Sequence, residues 1–317
     1  MTILVTGGLG FIGSHVVREF LDHEEKVVAT RFGGEQVAPF LAAAVGRGLT
    51  IEALDVASPH AVIDVCRRHA IDSIVHLAGP PIGAMSPIEE YRINMAGLLN
   101  IMEAARITGA RRVSIASSIA VYMGLKGPFI EDMPLRIEPS HPIEAFKKAE
   151  ELLGQYLAGA GRTDLISLRL GSIYGPLYRT LRHWPAQLVH AAVSKRSAPL
   201  DIPGLPRFYS DDHATDLCFV KDCARAVRLI HNAPGLKHKS YNVGGGQDVT
   251  NRRFAEAAAS VFPGFKVRME EGTGPDNWPN AILDISRARE DAGYVPLYTI
   301  EQALESYASW LREGHPY

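Results

Sequence analysis

The chain has 317 residues, of which 46% are hydrophobic and 21% charged, and its formal net charge is −2 at pH 7. This is the composition of an ordinary globular protein large enough to be an enzyme, and it excludes a disordered or fibrous chain. The near-neutral charge gives no reason to expect nucleic-acid or membrane binding, and no apolar run reaches the roughly 18 residues of a membrane span.

Short apolar runs alternate with amphipathic stretches through the first half of the chain. The predicted strands are Ile3–Thr6, Val27–Thr30, Leu49–Leu54, Ser73–Leu77, Arg112–Ala116 and Leu165–Leu170. The predicted helices between them cover residues 12–23, 37–46, 58–70, 87–108 and 141–158. Strict alternation predicts an α/β fold, a Rossmann-type doubly wound parallel sheet with helices on both faces.

The alternation breaks after Gly171. A helix near 185–195, a strand and helix near 217–232, a strand at Ser240–Val243 and a helix near 299–313 are predicted there. We therefore expect residues 1–170 to form the first domain, with returning segments near 217–245. Residues 171–317 are expected to form a smaller C-terminal α/β lobe, and the boundary between the two is soft.

The cysteines and the first residues bear on the compartment. Cys66, Cys218 and Cys223 are an odd number without a CxxC pair, which argues against a disulfide framework or a metal site. The opening MTILVTGG lacks the basic and long apolar regions of a signal peptide. We expect buried, reduced thiols in a cytoplasmic protein.

Three glycines follow the first predicted strand and open the first predicted helix. They are Gly7, Gly10 and Gly13, in the segment TGGLGFIGSH. Glycines at this spacing make a tight turn, let a pyrophosphate approach the backbone and place the helix N-terminus against the phosphates. The first domain is thus predicted to bind a dinucleotide, which leaves the substrate to the C-terminal lobe.

The end of the second strand indicates which dinucleotide binds. A site for NAD usually has an acidic residue there, about 20 residues after the glycines, to bind the ribose hydroxyls. This chain has Arg31, and a guanidinium can bind a 2′-phosphate through paired hydrogen bonds. We favour NADP(H) over NAD(H); the alternative is that Arg31 stacks on adenine or is solvated.

Several segments together resemble the extended short-chain dehydrogenase/reductase family, the NAD(P)-dependent epimerases and dehydratases. They are TGGLGFIGSH, HLAGPP, INMAGLLNIMEAA, IASSIAVY, RLGSIYGP, FVKDCARA, YNVGGG and LDISRARE. The resemblance implies cofactor contacts at Gly7, Gly10, Phe11, Ile12, Gly13, Arg31, Asp55, Val56, Leu77, Ala78, Gly79, Asn94, Lys147, Leu170, Ser172 and Ile173. It also implies a small-molecule substrate and a homodimer formed through the helices near 87–108 and 141–158.

The family's chemistry uses a serine, a tyrosine and a lysine. Tyrosine exchanges a proton with the substrate hydroxyl, lysine lowers the tyrosine pKa and holds the nicotinamide ribose, and serine orients the substrate. The resemblance assigns the serine role to Ser118 and the lysine role to Lys147, whereas the tyrosine position, four residues before Lys147, is Ile143. A YxxxK string from Tyr122 to Lys126 begins only four residues after Ser118, in a stretch with poor helix propensity, and we take it as coincidence.

The sequence leaves open which group replaces the tyrosine. The candidates are Tyr122, Tyr174, His141 and an ordered water held by Ser118. The substrate pocket is expected to include Pro80, Ser118, Ile119, Ile143 and Tyr174, with Pro81, Ile82 and Trp184 nearby.

Departures from the family pattern bear on the substrate. The family's dehydratases carry Asp-Glu after the serine, where this chain has Ile119 and Ala120. Nucleotide-sugar members place one arginine where this chain has Thr215, and a second one upstream of Leu283 and Asp284, where this chain reads GTGPDNWPNAI. Without those cations the usual diphosphate clamp is lost, so dehydration and a UDP-sugar substrate are disfavoured.

These observations predict an NAD(P)-dependent oxidoreductase or epimerase-like enzyme. It would act by hydride transfer at a hydroxyl or carbonyl carbon of a small molecule, with an atypical proton route. The alternative is a catalytically silent NADP(H)-binding sensor or scaffold protein.

Overall fold

The computed structural model describes residues 1–81, 83–181, 183–200, 209–273, 278 and 280–315. The strands are β1 (Thr2–Thr6), β2 (Lys26–Arg31), β3 (Leu49–Ala53), β4 (Ser73–His76), β5 (Arg112–Ser118), β6 (Asp164–Leu170), β7 (Ser172–Tyr174), β8 (Tyr209–Ser210), β9 (Ala214–Phe219), β10 (Ser240–Val243), β11 (Asp248–Thr250) and β12 (Met269–Glu270). The helices are α1 (Phe11–Asp22), α2 (Pro39–Ala42), α3 (Pro59–Arg68), α4 (Pro87–Thr108), α5 (Pro142–Gly159), α6 (Trp184–Val193), α7 (Val220–Asn232), α8 (Asn251–Val261), α9 (Ser286–Ala292) and α10 (Ile300–Arg312). A short 3-10 helix, Ile119–Tyr122, follows β5.

A seven-stranded sheet forms the centre, in the order β10-β6-β5-β4-β1-β2-β3. Every neighbouring pair in it is parallel. One apolar cluster on this sheet includes Phe20 and Val227, from α1 and α7, and a second includes Ile101 and Val113, from α4 and β5. The predicted Rossmann-type α/β fold is confirmed.

The carboxyl ends of the central strands meet at one edge of the sheet. Thr6 at the end of β1 pairs with His76 at the end of β4, and Ser118 at the end of β5 pairs with Leu170 at the end of β6. In open parallel sheets this edge is where ligands bind. The predicted glycine loop, Ser118 and the segment after β6 therefore come together there.

The second half of the chain returns to the central sheet. β10 adds to β6, while β11, β9 and β7 form a separate three-stranded sheet and β12 pairs with β8. β10 lies inside the segment predicted to return, 217–245. The domain boundary near residue 170 stays a prediction.

The predicted elements of the first half agree with the structure to within two residues at either end, except in one place. The helix predicted at 37–46 covers only Pro39–Ala42, because the chain turns at once: Gly46 and Gly48 adopt positive φ angles of 76° and 122°. In the second half the prediction missed α8, α9 and the short strands β7, β8, β11 and β12. Strands of two or three residues carry too few side chains to show a period.

No helix within the described residues is long and apolar enough to cross a membrane. In that same part of the chain, no group of three His, Cys, Asp or Glu side chains could hold a metal ion. The three cysteines are buried and free.

Candidate active site

The glycine loop is closed by its own backbone. Gly7 has a φ of 64°, and the Gly10 N–H donates to the Gly7 carbonyl at 2.9 Å. A Cβ added at Gly13 would collide with that same carbonyl oxygen, and one at Gly8 would lie 2.8 Å from the Ala29 Cβ. Larger residues are therefore excluded at these positions, which is the geometry a pyrophosphate cradle needs.

Helix α1 begins with its N-terminus open. Gly10 is its N-cap and supplies no capping side chain, and the first turn holds no acidic residue. The N–H groups of a first turn need an acceptor from outside the helix, and a phosphate supplies one together with the charge that the helix dipole favours. The residues present thus fit a dinucleotide.

Two threonines that the sequence analysis missed hold this loop in place. The Thr30 hydroxyl lies 3.2 Å from the Gly7 N–H, which donates to it, and the Thr6 hydroxyl accepts from the Leu77 N–H at 3.2 Å and the Ala78 N–H at 3.3 Å. These contacts join the ends of three strands. The signal available in the sequence was a threonine at the end of each of two predicted apolar strands, Ile3–Thr6 and Val27–Thr30.

Arg31 ends β2 beside Thr30. Its carbonyl accepts from the Leu54 N–H at 2.9 Å, and its exposed guanidinium makes no hydrogen bond or ion pair within the described residues. On the loop that follows, the Glu35 carboxylate accepts from the Gly33 N–H at 2.8 Å. That Arg31 binds the cofactor stays a prediction.

Asp55 and Val56 lie in the turn after β3. The Asp55 carboxylate accepts from the Ala57 N–H at 2.8 Å, and the Val56 carbonyl accepts from the Asn100 side chain at 2.9 Å. These bonds hold the turn in one conformation. Both residues follow the carboxyl end of β3, and their contact with the cofactor stays a prediction.

The loop after β4 packs directly on the glycine loop. A Cβ on Gly7 would lie 3.0 Å from the Ala78 nitrogen, and one on Gly79 would lie 3.0 Å from the Asn94 side-chain oxygen. Asn94 is held by its own amide, which donates to the Glu90 carbonyl at 2.8 Å. Pro80 follows, partly buried, while Ile82 lies outside the described residues.

Ser118 lies at the tip of β5, partly buried. Its hydroxyl accepts from the Ala120 N–H at 3.1 Å and so caps the 3-10 helix. Beyond β6, the Ser172 hydroxyl lies 3.4 Å from the Thr215 hydroxyl, and Ile173 is buried. One lone pair and the proton of Ser118 stay available to a ligand.

Lys147 lies on α5 and is paired with a carboxylate that the sequence analysis missed. Its Nζ donates to Glu150 Oε2 at 2.8 Å, and the side chains are 22% and 8% exposed. Burial raises the pKa of Glu150, and the Lys147 ammonium opposes that shift. The charge of Lys147 also acts on His76: burial and this charge lower the pKa of His76 to about 3, so the ring is neutral.

Ile143 lies in the first turn of α5, one turn before Lys147, and is partly buried. The side chain of His141 is the N-cap of this helix, accepting from the Ile143 N–H at 3.2 Å. Ser140 instead donates to the buried carboxylate of Glu144. That Ile143 occupies the family's tyrosine position stays a prediction.

Tyr122 is fully buried and its hydroxyl is committed to the interior. It donates to the Asn242 side chain at 2.9 Å and accepts from Arg169 at 2.8 Å, and its ring stacks on Phe129 with centroids 4.8 Å apart. Burial raises its pKa to about 12. This geometry argues against Tyr122 as the proton carrier.

Tyr174 is also buried, between Phe219 and Phe254. Burial raises the pKa of its hydroxyl. It lines a cleft of about 400 Å³ together with Asp248 and Glu301, and none of the lining residues is Ser118, Ile143 or Lys147. The structure therefore does not bring Tyr174 together with the predicted serine and lysine in that cleft.

A family model describes most of this chain. The model of the NAD dependent epimerase/dehydratase family matches residues 3–244. The chain belongs to this family. NAD(P) binding follows from that membership together with the fit of the glycine loop.

Similar proteins in this family differ in their activities. A UDP-glucose 4-epimerase of Lacticaseibacillus casei is 26% identical over 340 residues, covering 100% of this chain and 98% of that protein. A dTDP-glucose 4,6-dehydratase of Neisseria gonorrhoeae is 26% identical over 341 residues, covering 97% and 94%. The holo structure of L-threonine dehydrogenase from Cupriavidus necator matches with a TM-score of 0.81 at 25% identity, covering 98% of this chain and 100% of that one.

Proposed function

We propose that this family member is an NAD(P)-dependent oxidoreductase or epimerase-like enzyme that acts at a hydroxyl or carbonyl carbon of a small molecule. The observation that carries the proposal is the position of the glycine loop and Ser118 at one edge of the sheet, with the charge of Lys147 acting on His76 at the end of β4. When bound, the nicotinamide supplies reversible hydride transfer. The chain itself must hold that group, orient the substrate and move a proton.

The proposed roles follow from where each side chain lies. The Ser118 hydroxyl, at the tip of β5, orients the substrate oxygen. The Lys147 ammonium holds the ribose hydroxyls of the cofactor. Arg31 binds the 2′-phosphate, since its guanidinium is exposed and without a partner in the described part of the chain; this favours NADP(H) over NAD(H).

The proposed substrate is smaller than a nucleotide sugar. Ile119 and Ala120 offer no acid/base pair for eliminating water, and Thr215 offers no cation for a diphosphate. The second segment bearing on this point, GTGPDNWPNAI, lies partly outside the described residues. The relative named as an L-threonine dehydrogenase supports a small hydroxy compound as the substrate class.

A cofactor-binding protein without turnover is the second candidate. It is favoured by Ile143, which carries no exchangeable side-chain proton, and by the burial of Tyr122 within its own network. Such a protein would bind the dinucleotide through the same loop and report its redox state.

Titration and turnover separate these functions. Protein fluorescence titrated with NADPH and NADH measures binding, and a screen of hydroxy and keto compounds at 340 nm measures hydride transfer. On any substrate found, Ser118→Ala and Lys147→Ala should each lower kcat/KM by about a hundredfold or more. Lys239→Ala, an exposed lysine paired with Asp164, serves as the control and should leave the rate unchanged.

Activity that survives both active-site substitutions would contradict the assigned roles. Tight dinucleotide binding with no turnover across the screen would favour the sensor.

A further inference from the structure

Three residues of α5 form one short face that no assigned role explains in full. Ile143, Lys147 and Glu150 are spaced by four and three residues, so they lie above one another on the helix. Glu150 is nearly excluded from solvent, whereas the Lys147 side chain is 22% exposed. Lys147 is thus the more exposed end of a pair whose other member is a buried carboxylate.

Burying the Glu150 carboxylate costs desolvation free energy, and pairing with a cation seldom offsets that cost in full. An ion pair taken out of water stabilises a fold weakly or not at all, because desolvation offsets the attraction. Glu150 and its neighbour Glu151 are both buried, but Glu151 is matched by Arg169 through two hydrogen bonds from Nε and one from Nη2. Glu150 is paired with Lys147, whose side chain is more exposed than its own.

The three side chains considered as proton carriers each have contacts elsewhere. The Tyr122 hydroxyl is hydrogen-bonded to Asn242 and Arg169. Tyr174 lines a cleft whose lining includes neither Lys147 nor Glu150. The His141 ring caps α5 through the nitrogen that accepts from Ile143. The Lys147–Glu150 pair is left at the place where the resemblance puts the tyrosine and its lysine.

We propose that Lys147 and Glu150 together carry the proton that a tyrosine carries in other members of the family. The inference rests on the proposed hydride transfer. In this proposal Lys147 is the catalytic residue, which takes the proton of the substrate hydroxyl in addition to holding the cofactor ribose; Glu150 acts through Lys147 as a positioning residue and proton acceptor.

The proton step balances without any further reactant. One N–H bond of the Lys147 ammonium breaks first and its proton bonds to Glu150 Oε2, which leaves a neutral amine with a free lone pair. As the substrate carbon gives up its hydrogen with two electrons to the oxidised nicotinamide, the hydroxyl O–H bond breaks and its proton bonds to Lys147 Nζ through that lone pair. The products are a carbonyl, an ammonium and a neutral carboxyl, and reduction runs through the same steps in reverse.

The surroundings of the pair suit this exchange. Burial raises the pKa of the Glu150 carboxyl above its usual 4.5, so it accepts a proton more readily than an exposed glutamate does. The titratable groups that face the pair are Glu151 on α5, which Arg169 neutralises, and His76 on β4, which is neutral. The Tyr91 ring on α4 packs against the Phe146 ring on α5, with ring centroids 6.0 Å apart.

A titration without cofactor tests the coupling itself. Reductive methylation with ¹³C-formaldehyde labels the lysines for NMR. The Lys147 resonance is identified as the one that is absent from the spectrum of the Lys147→Arg variant. We expect it to show an inflection above pH 4.5, set by Glu150, that disappears in Glu150→Gln. Glu144→Gln is the matched control, because Glu144 forms a second buried pair on α5 with Lys148 at 2.6 Å and should leave the inflection in place.

Turnover on a substrate from the screen tests the chemistry. We expect Glu150→Gln to lower kcat by about a hundredfold while the dinucleotide Kd stays within about twofold. Glu144→Gln should leave both kcat and the dinucleotide Kd unchanged. Adding Ile143→Tyr to Glu150→Gln should recover about tenfold or more, since a phenol then supplies the proton route.

The failures are distinguishable. A wild-type resonance without the inflection, or a Glu150→Gln rate within about threefold of wild type, overturns the proton role and leaves the proposed function standing. A wild-type protein that binds the dinucleotide but turns over nothing overturns the proposed function, and the proton role falls with it.

Discussion

Gly13 is the residue at which the loop leaves least room. A Cβ there would meet the Gly7 carbonyl oxygen, which is backbone and has no freedom to move away. We expect Gly13→Ala to lower the free energy of unfolding by about 1–3 kcal/mol and to abolish detectable dinucleotide binding. Thermal melting and fluorescence titration measure the two effects.

The matched control is Gly159→Ala, at the end of α5, where nothing lies within 4 Å of an added Cβ. It should melt at or above the wild-type temperature. If the Gly13→Ala and Gly159→Ala variants melt at the same temperature, the loop has more room at Gly13 than its geometry indicates.

The proposed role of Arg31 in cofactor choice is also tested at the scale of a single residue. Removing a guanidinium that binds a phosphate removes a charge-assisted bidentate contact worth about 1.5–3 kcal/mol. Arg31→Ala should therefore raise the Kd for NADPH by about tenfold or more and leave the Kd for NADH within about twofold. Arg47→Ala, also an exposed arginine, is the control.

The NADP(H) preference would be refuted by a wild-type protein that binds NADH at least about tenfold more tightly than NADPH.

Asp216 joins elements that are far apart in the chain. From β9 its carboxylate accepts from the N–H groups of Gly245 at 2.5 Å, Gly246 at 2.9 Å and Leu283 at 3.1 Å. Burial raises its pKa to about 7. This one side chain thus holds the loop after β10 and the segment before α9 against the ligand edge.

Asp216→Asn tests this junction, because an amide nitrogen cannot accept from an N–H. We expect the variant to be less stable by about 1–3 kcal/mol at pH 4. The native Asp216 holds its proton more tightly than the unfolded chain does, so its contribution is full below about pH 4 and falls as the pH rises toward 7. The difference in free energy of unfolding between wild type and Asp216→Asn, measured by urea unfolding, should shrink as the pH rises from about 4 to about 7. A difference that grows with pH would contradict the raised pKa.

At the scale of the whole molecule, helices α4 and α5 present an apolar outer face. Leu152 and Tyr156 on α5 are 74% and 75% exposed, and Ile88 on α4 is 70% exposed. Exposed apolar groups gathered on neighbouring helices mark an interaction surface more often than a free one. This is the face at which the family resemblance implies a homodimer, and we propose that the chain dimerises through it.

A double substitution on that face tests the assembly. We expect the wild type to sediment as a dimer and Leu152→Glu combined with Tyr156→Glu to sediment as a monomer, because four carboxylates would be buried without partners. Ile137→Glu is the control, since Ile137 is 94% exposed and lies outside both helices. A monomeric wild type would contradict the proposal.

The fold could be predicted from the sequence because its signals are local. Alternating apolar runs, the glycines after β1 and the spacing around Ser118 and Lys147 each lie within a short stretch of chain. β5 runs two residues farther than predicted, to Ser118, since its pairing with β6 continues past the apolar run.

The partners of the site residues could not be predicted in the same way. Thr30 reaches Gly7 across 23 residues, Tyr122 reaches Arg169 across 47, and Asp216 reaches Leu283 across 67. Such contacts depend on which strands lie side by side, and the residue types alone do not state that order.

By itself, the sequence determined the α/β class, the dinucleotide loop and the lysine beside an isoleucine on one helix, because period and spacing are properties of a single chain segment. Only the tertiary structure decided that Tyr122 is committed to a buried network and that Lys147 is paired with Glu150. Burial and hydrogen-bond partners are set by packing between segments, and they determine which of the candidate groups is able to move a proton.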